Sequence, residues 1–326
     1  MDGEPRRIES DIMYSSVERD DVYKLALLNF VNTEYDIDAV YMTAAKRGFY
    51  GETWKLSARD EDFFLKIVYC DEHKDVYEQS FPITQHLNSN GIDFISKIVK
   101  TKSGKLSTHF DGATIGVFHW IEGENTESNE TKPFEYQMLA KVYKVPYDDI
   151  VIPKEDFSNK CSDEFFHLWH KHNDKQTLSL LERNRKKLEH RAKRLNKFSK
   201  LCRKDLTDFI ITHGDAGGNF LMGNGKNYIV DWDGATLAPP ERDAWVMCGF
   251  DWARELFNKA LQDNGIDYSL RPERLAYYCY WFFFFYLNSF LYAESEVGVI
   301  KEYMEEYMEE YIDSWIENSI TWADAL

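Results

Sequence analysis

Apolar positions recur along the chain in two rhythms. Near the N-terminus, Val22 to Phe30 (VYKLALLNF) spaces its apolar residues as a helix does, with Asp20 or Asp21 placed to cap the start. From Ala39 to Val68 the rhythm shortens to β-type runs broken by turn residues. A charged turn, Ala58-Arg59-Asp60-Glu61-Asp62, precedes FFLKIV in the manner of a hairpin. Helical spacing returns over Asp75 to Leu87, despite Pro82, and three further strand candidates follow: FISKIV, KLSTHF and TIGVFHWI, ending near Ile121. These runs predict a mainly antiparallel sheet with one inserted helix over about the first 120 residues, an α+β arrangement.

The polar, turn-rich stretch Gly123 to Lys132 (GENTESNETK) marks a lobe boundary, and helices dominate beyond it. Leu188, Ala192, Leu195, Phe198 and Cys202 fall on one helical face. Leu275 to Tyr292 carries no charge for eighteen residues. It is short of the ~20 apolar residues of a membrane span, aromatic where lipid-facing helices are aliphatic, and interrupted by Asn288 and Ser289; it reads as a buried core helix. Near the C-terminus, Tyr303, Tyr307, Tyr311 and Trp315 form an apolar stripe on an acidic helix, which reads as packing.

Composition narrows the class. With 326 residues, 44% hydrophobic and 16% aromatic, the chain has enough apolar surface for an ordered core and enough length for about two lobes. The formal charge of −17 argues against a general nucleic-acid binder, which needs basic surface to neutralise phosphates. The acid is concentrated: ten carboxylates follow residue 293, against Lys301 alone. Eleven Lys and Arg residues lie between Arg183 and Lys204 and read as a solvated helix face in preference to a phosphate-binding patch. The five cysteines are scattered and contain no Cys-x-x-Cys pair, as expected of reduced thiols in a cytoplasmic protein. No basic region followed by an apolar run opens the chain, so no secretory signal or membrane partner is expected.

The chemistry concentrates between Phe209 and Asp243, FIITHGDAGGNFLMGNGKNYIVDWDGATLAPPERD. FIIT reads as a short buried strand, HGDAGGN as a tight polar loop, and FLMG and YIVDW as strands joined around Asn224-Gly225, a strong hairpin signal. The hairpin returns Asp231 beside Asn219, with Asp215 just upstream. Two carboxylates and a carboxamide converging at one mouth suit Mg²⁺, and three neighbouring glycines leave room for a polyanion.

His213-Gly214-Asp215 with Asn219, Ile229 to Asp233, and Pro239 to Asp243 together resemble the signature of the aminoglycoside phosphotransferase and choline kinase superfamily, closest in spacing to its spectinomycin phosphotransferase branch. The resemblance implies a protein-kinase-like two-lobed fold, with a nucleotide-binding lobe over 1–122 and a helical lobe over 123–326 that carries the catalytic loop and acceptor site. It implies ATP and Mg²⁺ as cofactors, Asp215 as the base that takes the acceptor's hydroxyl proton, Asn219 and Asp231 as metal ligands, and Asp243 as a structural buttress. Three residues separate Asp215 from Asn219 where such enzymes usually carry four, a tighter loop that Gly217-Gly218 permits.

Kinases of this kind also need a strand lysine for the α and β phosphates, paired with a glutamate on the next helix. Lys66, in the apolar run FFLKIV, fits the first role. Glu78 is the expected partner, with Glu72 and Glu52 as alternatives. Gly48 and Gly51 belong to the expected phosphate-covering loop, and Trp120 and Ile121 to the connection expected to meet the adenine. A small cationic acceptor, of aminoglycoside or aminocyclitol type, is expected against an acidic, aromatic rim that includes Asp233 and Asp251. Choline-, ethanolamine- or sugar-type kinases are the alternatives within the class. The shortened loop also fits a silent nucleotide-binding protein.

Overall fold

The computed structural model describes residues 19–45, 51–126, 128–223, 225–305 and 313–324. The N-terminal half is built on one antiparallel sheet. Strands β1 (Tyr41–Ala44), β2 (Glu52–Ser57), β3 (Asp62–Val68), then β6 (Ala113–His119) lie side by side, with β4 (Ile98–Val99) and β5 (Thr108–Phe110) both paired to β6. Alternation assigns the two faces. Trp54, Leu56, Leu65, Ile67, Ile115 and Val117 lie on one side, where helix α1 (Asp21–Tyr35) covers them with Leu27, Leu28, Val31 and Tyr35. Asp20 is the cap of α1, accepting from the Tyr23 N–H at 2.7 Å.

Phe64, Lys66 and Val68 lie on the opposite side, facing helix α2 (Asp71–Ser89), whose Tyr77 and Phe81 cluster with Val68, Ile98 and Phe118. Gly116 pairs with Lys66 across β6 and β3, and a Cβ there would stand 2.3 Å from the Phe81 ring. The helix therefore packs this close to the sheet only because position 116 is glycine. The run FISKIV yields only the two-residue β4, because its other residues enter no ladder.

The second half is helical: α3 (Lys132–Val142), α4 (Lys160–Lys171), α5 (Lys175–Arg183), α6 (Arg185–Cys202), and, after a run of short strands, α7 (Glu241–Ala244), α8 (Asp251–Asp263), α9 (Pro272–Tyr292), α10 (Val297–Lys301) and α11 (Asp313–Asp324). Helix α9 is the hub, packed against α4, α6, α7 and α11. Most of its aromatic side chains are buried, and two of the buried hydroxyls are paired: that of Tyr277 donates to the Ser158 carbonyl at 2.8 Å and that of Tyr278 to Glu155 at 3.1 Å. The uncharged run is a core helix, and no helix among the described residues is long and apolar enough to cross a membrane.

The two charge runs meet. Lys187 and Arg191 of α6 both pair with Asp313, and Arg194 and Lys197 with Asp324 at 3.0 and 3.1 Å. Arg191 is only 5% exposed, so its pair with Asp313 lies inside the α6–α11 seam, while Lys197 and Asp324, 50% and 44% exposed, stand on the solvated face of α6. Two of the ten terminal carboxylates, Asp313 and Asp324, thus pair with α6. Tyr303 and Trp315 of the terminal stripe are buried, whereas Tyr307 and Tyr311 lie outside the described residues.

Candidate active site

Strand β8 (Ile210–Thr212) pairs with β11 (Thr236–Ala238), and between them the chain makes the predicted hairpin, β9 (Phe220–Gly223) against β10 (Asn227–Ile229). The polar segment read as a lobe boundary begins with a strand, β7 (Gly123–Asn125), which adds to this hairpin alongside β9. Its residues carry no apolar alternation; the pairing is dictated by the partner strand. At the base of the hairpin the Val230 N–H donates to the Asn219 carbonyl at 3.0 Å. Asp231 follows in the left-handed region at φ +64°, a conformation that aspartate tolerates better than most residues and that turns its carboxylate back toward the first sheet.

A buried lattice fixes the loop before Asp215. His213 accepts at Nδ1 from the Asp215 N–H (3.2 Å) and donates from Nε2 to the Val230 carbonyl (2.8 Å). Burial pushes the imidazole below its usual range, so it stands neutral in the tautomer that serves both partners. Asp243 accepts from the Tyr143 hydroxyl at 2.9 Å and from the N–H groups of His213 and Gly214. Gly214 has φ +90°, and a Cβ there would lie 2.5 Å from the Arg242 guanidinium, which is itself tied to the Gly234 carbonyl at 2.8 Å. Gly214→Ala is therefore expected to lower folding stability by about 1–3 kcal/mol, as measured by chemical denaturation.

Above this lattice Asp215 is exposed. The Asn219 amide donates to the Asp215 backbone carbonyl at 2.8 Å and approaches its Oδ2 at 3.3 Å, which leaves the Asn219 carbonyl oxygen turned away from these contacts. Lys66 Nζ reaches across from β3 to Asp231 Oδ1 at 2.5 Å and Asp233 Oδ2 at 2.7 Å, so the sheet and the hairpin meet at a lysine held by two acids. The lysine side chain is 9% exposed and those of Asp231 and Asp233 are 40% and 25% exposed. Burial alone would push Lys66 down, but Asp231 and Asp233 hold it above the usual lysine range. Burial pushes both acids up; Lys66 outweighs it at Asp231, which stays below the usual carboxylate range, whereas Asp233 rises to about 7.

A carboxyl raised above its unfolded pKa favours folding at low pH, and that contribution is lost as pH climbs from the unfolded value toward the folded one, here from about 4 to about 7. Asp233→Asn removes the loss. The melting temperature of the nucleotide-free variant relative to wild type is expected to rise between pH 5 and pH 8, as followed by calorimetry.

The expected glutamate partner is corrected. Glu78 does not meet Lys66: it is half exposed, 3.9 Å from His109, because the Tyr77 and Phe81 side of α2 faces the sheet and Glu78 lies around the helix from it. Glu52 is on the opposite sheet face, paired with Arg19 at 2.7 Å, and the side chain of Glu72 lies outside the described ones. Carboxylates of the hairpin take that place. Asp233 faces Lys66, which corrects its expected place on an acceptor rim. Asp251 sits 83% exposed at the start of α8, paired with Arg254.

Gly48 lies outside the described residues. Gly51 approaches β3 so closely that a Cβ would stand 2.3 Å from the Ile67 carbonyl oxygen. Trp120 follows β6, its N–H bonded to the Asp62 carbonyl at 3.0 Å and its indole N–H to Glu122 at 2.9 Å; Ile121 comes next, leading into β7. Among the residues beyond those expected that touch the loop are Arg242, beside Gly214, and Trp245, whose indole donates to the Gly214 carbonyl at 3.2 Å. Arg242 lies in the PPERD run already prominent in the sequence, whereas nothing local marks Trp245. Two cavities of about 710 and 400 Å³ lie along α4, α5 and α9, and no residue of 213–233 lines either.

The set tests well for Mg²⁺ with nucleotide phosphates. A carboxamide oxygen and a partly exposed carboxylate provide two hard oxygen donors, too few to enclose a metal and about the number this ion takes beside phosphate oxygens.

Comparison with known proteins bears on the fold and the family. Among curated protein sequences none matches. Among solved structures, spectinomycin phosphotransferase in complex with ADP and spectinomycin superposes with a TM-score of 0.68 at 18% identity, over 93% of this chain and 98% of that one. The AMP-bound complex of spectinomycin phosphotransferase gives 0.70 at 20% identity, over 91% and 98%. Choline kinase from Streptococcus pneumoniae gives 0.60 at 13%, over 94% and 100%. These likenesses carry the fold, which is protein-kinase-like, as the residues of the hairpin imply. Residues 42–278 match the phosphotransferase enzyme family, and the chain belongs to it.

Proposed function

We propose that the protein is an ATP- and Mg²⁺-dependent O-phosphotransferase acting on a hydroxyl of a small cationic molecule, of the aminocyclitol or amino-alcohol kind. The observation that carries this reading is the convergence on one mouth of an exposed Asp215, held from beneath by His213 and Asp243, with Asn219, Asp231 and Lys66. Asp215 accepts the proton of the acceptor hydroxyl as its oxygen bonds to the terminal phosphorus and the bond to ADP breaks. Lys66 holds the phosphates of the nucleotide, moving its cation off Asp231. Asn219 and Asp231 hold Mg²⁺, which when bound neutralises phosphate charge and orients the transferring group.

A cationic acceptor is supported by two considerations. Spectinomycin, bound in one superposed structure, and choline, the substrate class of another, each carry cationic nitrogen and a hydroxyl. The net charge of −17 also favours encounter with a cation. An initial-rate screen of ATP consumption over aminocyclitols, aminoglycosides, choline, ethanolamine and neutral sugars tests the choice. Turnover with a cationic acceptor that slows as salt is added is expected, and turnover confined to neutral sugars would contradict it.

A further inference from the structure

We infer that Asn125 is a positioning residue for the metal end of the site, an inference that rests on the phosphotransferase reading. The loop between Asp215 and Asn219 closes with only Ala216, Gly217 and Gly218 between them, through a single 3-10 turn in which the Asn219 N–H donates to the Ala216 carbonyl at 3.1 Å. Gly218 is exposed, and two consecutive glycines give this turn little preference of its own. Its peptide plane is nevertheless held from outside. The side-chain amide of Asn125, on β7, donates to the Gly218 carbonyl.

That carbonyl belongs to the peptide unit entering Asn219. Pinning its oxygen restricts the torsions on either side, and so the direction in which the Asn219 side chain leaves the backbone. Asn125 is itself fixed: it pairs in register with Leu221, and the following Thr126 N–H donates to the Phe220 carbonyl at 3.3 Å. The donor and the turn it holds therefore belong to one small sheet, whose next strand leads into Asp231. Strand β7 also continues directly from Ile121, so one short extended segment joins the connection expected at the adenine to the metal end.

The test is the Mg²⁺ concentration that half-saturates the rise in melting temperature caused by ADP, compared for wild type, Asn125→Ala and Asn125→Asp. The Asp variant keeps the shape of the side chain and loses the donor. Both are expected to need about 3- to 10-fold more Mg²⁺, the effect of one lost hydrogen bond, while the melting temperature without ligand and the shift caused by metal-free ADP stay as in wild type. Asn125→Gln, which retains a donor on a longer arm, is expected to recover part of the loss. An unchanged Mg²⁺ requirement in both variants overturns the inference. So does a fall in ligand-free melting temperature with no change in Mg²⁺ requirement, which marks a structural contact only. Absence of any Mg²⁺-dependent shift in wild type defeats the phosphotransferase reading instead, and the inference with it.

Discussion

Asp215→Asn is expected to slow phosphoryl transfer by about 10²–10⁴-fold while leaving Mg-ATP affinity nearly unchanged. Asparagine keeps the size of the side chain and cannot take a proton. The surroundings of Asp215 make the split between rate and binding sharp. Its backbone is set by His213 through the Asp215 N–H, and by Asp243 through the N–H groups of His213 and Gly214, none of which the substitution touches. Lys66 and Asp231 lie on β3 and on the far side of the hairpin, so the nucleotide end keeps its groups. Full turnover in this variant would remove Asp215 from the base role. A comparable loss of nucleotide affinity would show that the side chain holds the loop and not the proton.

Lys66→Ala should act in the opposite manner, lowering kcat/KM for ATP by at least about 10²-fold through lost charge-assisted contacts to phosphate. A second, ligand-free effect distinguishes this site from an ordinary surface lysine. The ammonium is nearly buried and bridges two carboxylates that already meet each other, so its removal leaves Asp231 and Asp233 together without a cation. One of them must then stay protonated or move apart. The variant should be less stable than wild type at pH 8 and recover much of the difference at pH 5, where a proton replaces the lysine. Calorimetry at the two pH values with ATP kinetics reads both effects. An unchanged kcat/KM, or a stability loss that is the same at both pH values, would count against the placement of Lys66.

How much of this was legible beforehand follows from the range of each signal. The hairpin of β9 and β10, whose turn residue Asn224 lies outside the described residues, the approach of Asp231 to Asn219 and the strand carrying Lys66 are short-range consequences of turn chemistry and alternation, and the two strands' pairing, that approach and the Lys66 strand are found in the structure. The partner of Lys66 was not legible. It lies 165 residues away, while the nearer Glu78 is excluded by a rotation about the α2 axis that composition does not encode. The same holds for the two charge runs: the basic face of α6 and the acidic C-terminus were both evident, but their mutual pairing through Asp313 and Asp324 needs the tertiary fold. Strand β7 has no pattern at all, and with it Asn125 stayed hidden in a stretch of polar turn residues.

The most direct measurement is the stoichiometry of transfer, with ADP formed and phosphate gained by the acceptor followed on the same sample by coupled assay and mass spectrometry. The phosphotransferase reading predicts equal amounts of ADP and phosphorylated acceptor for at least one amine-bearing alcohol, and neither product with Asp215→Asn. ADP formed with no acceptor gaining phosphate, or no ATP consumed with any acceptor while Mg-ATP still raises the melting temperature, would contradict it.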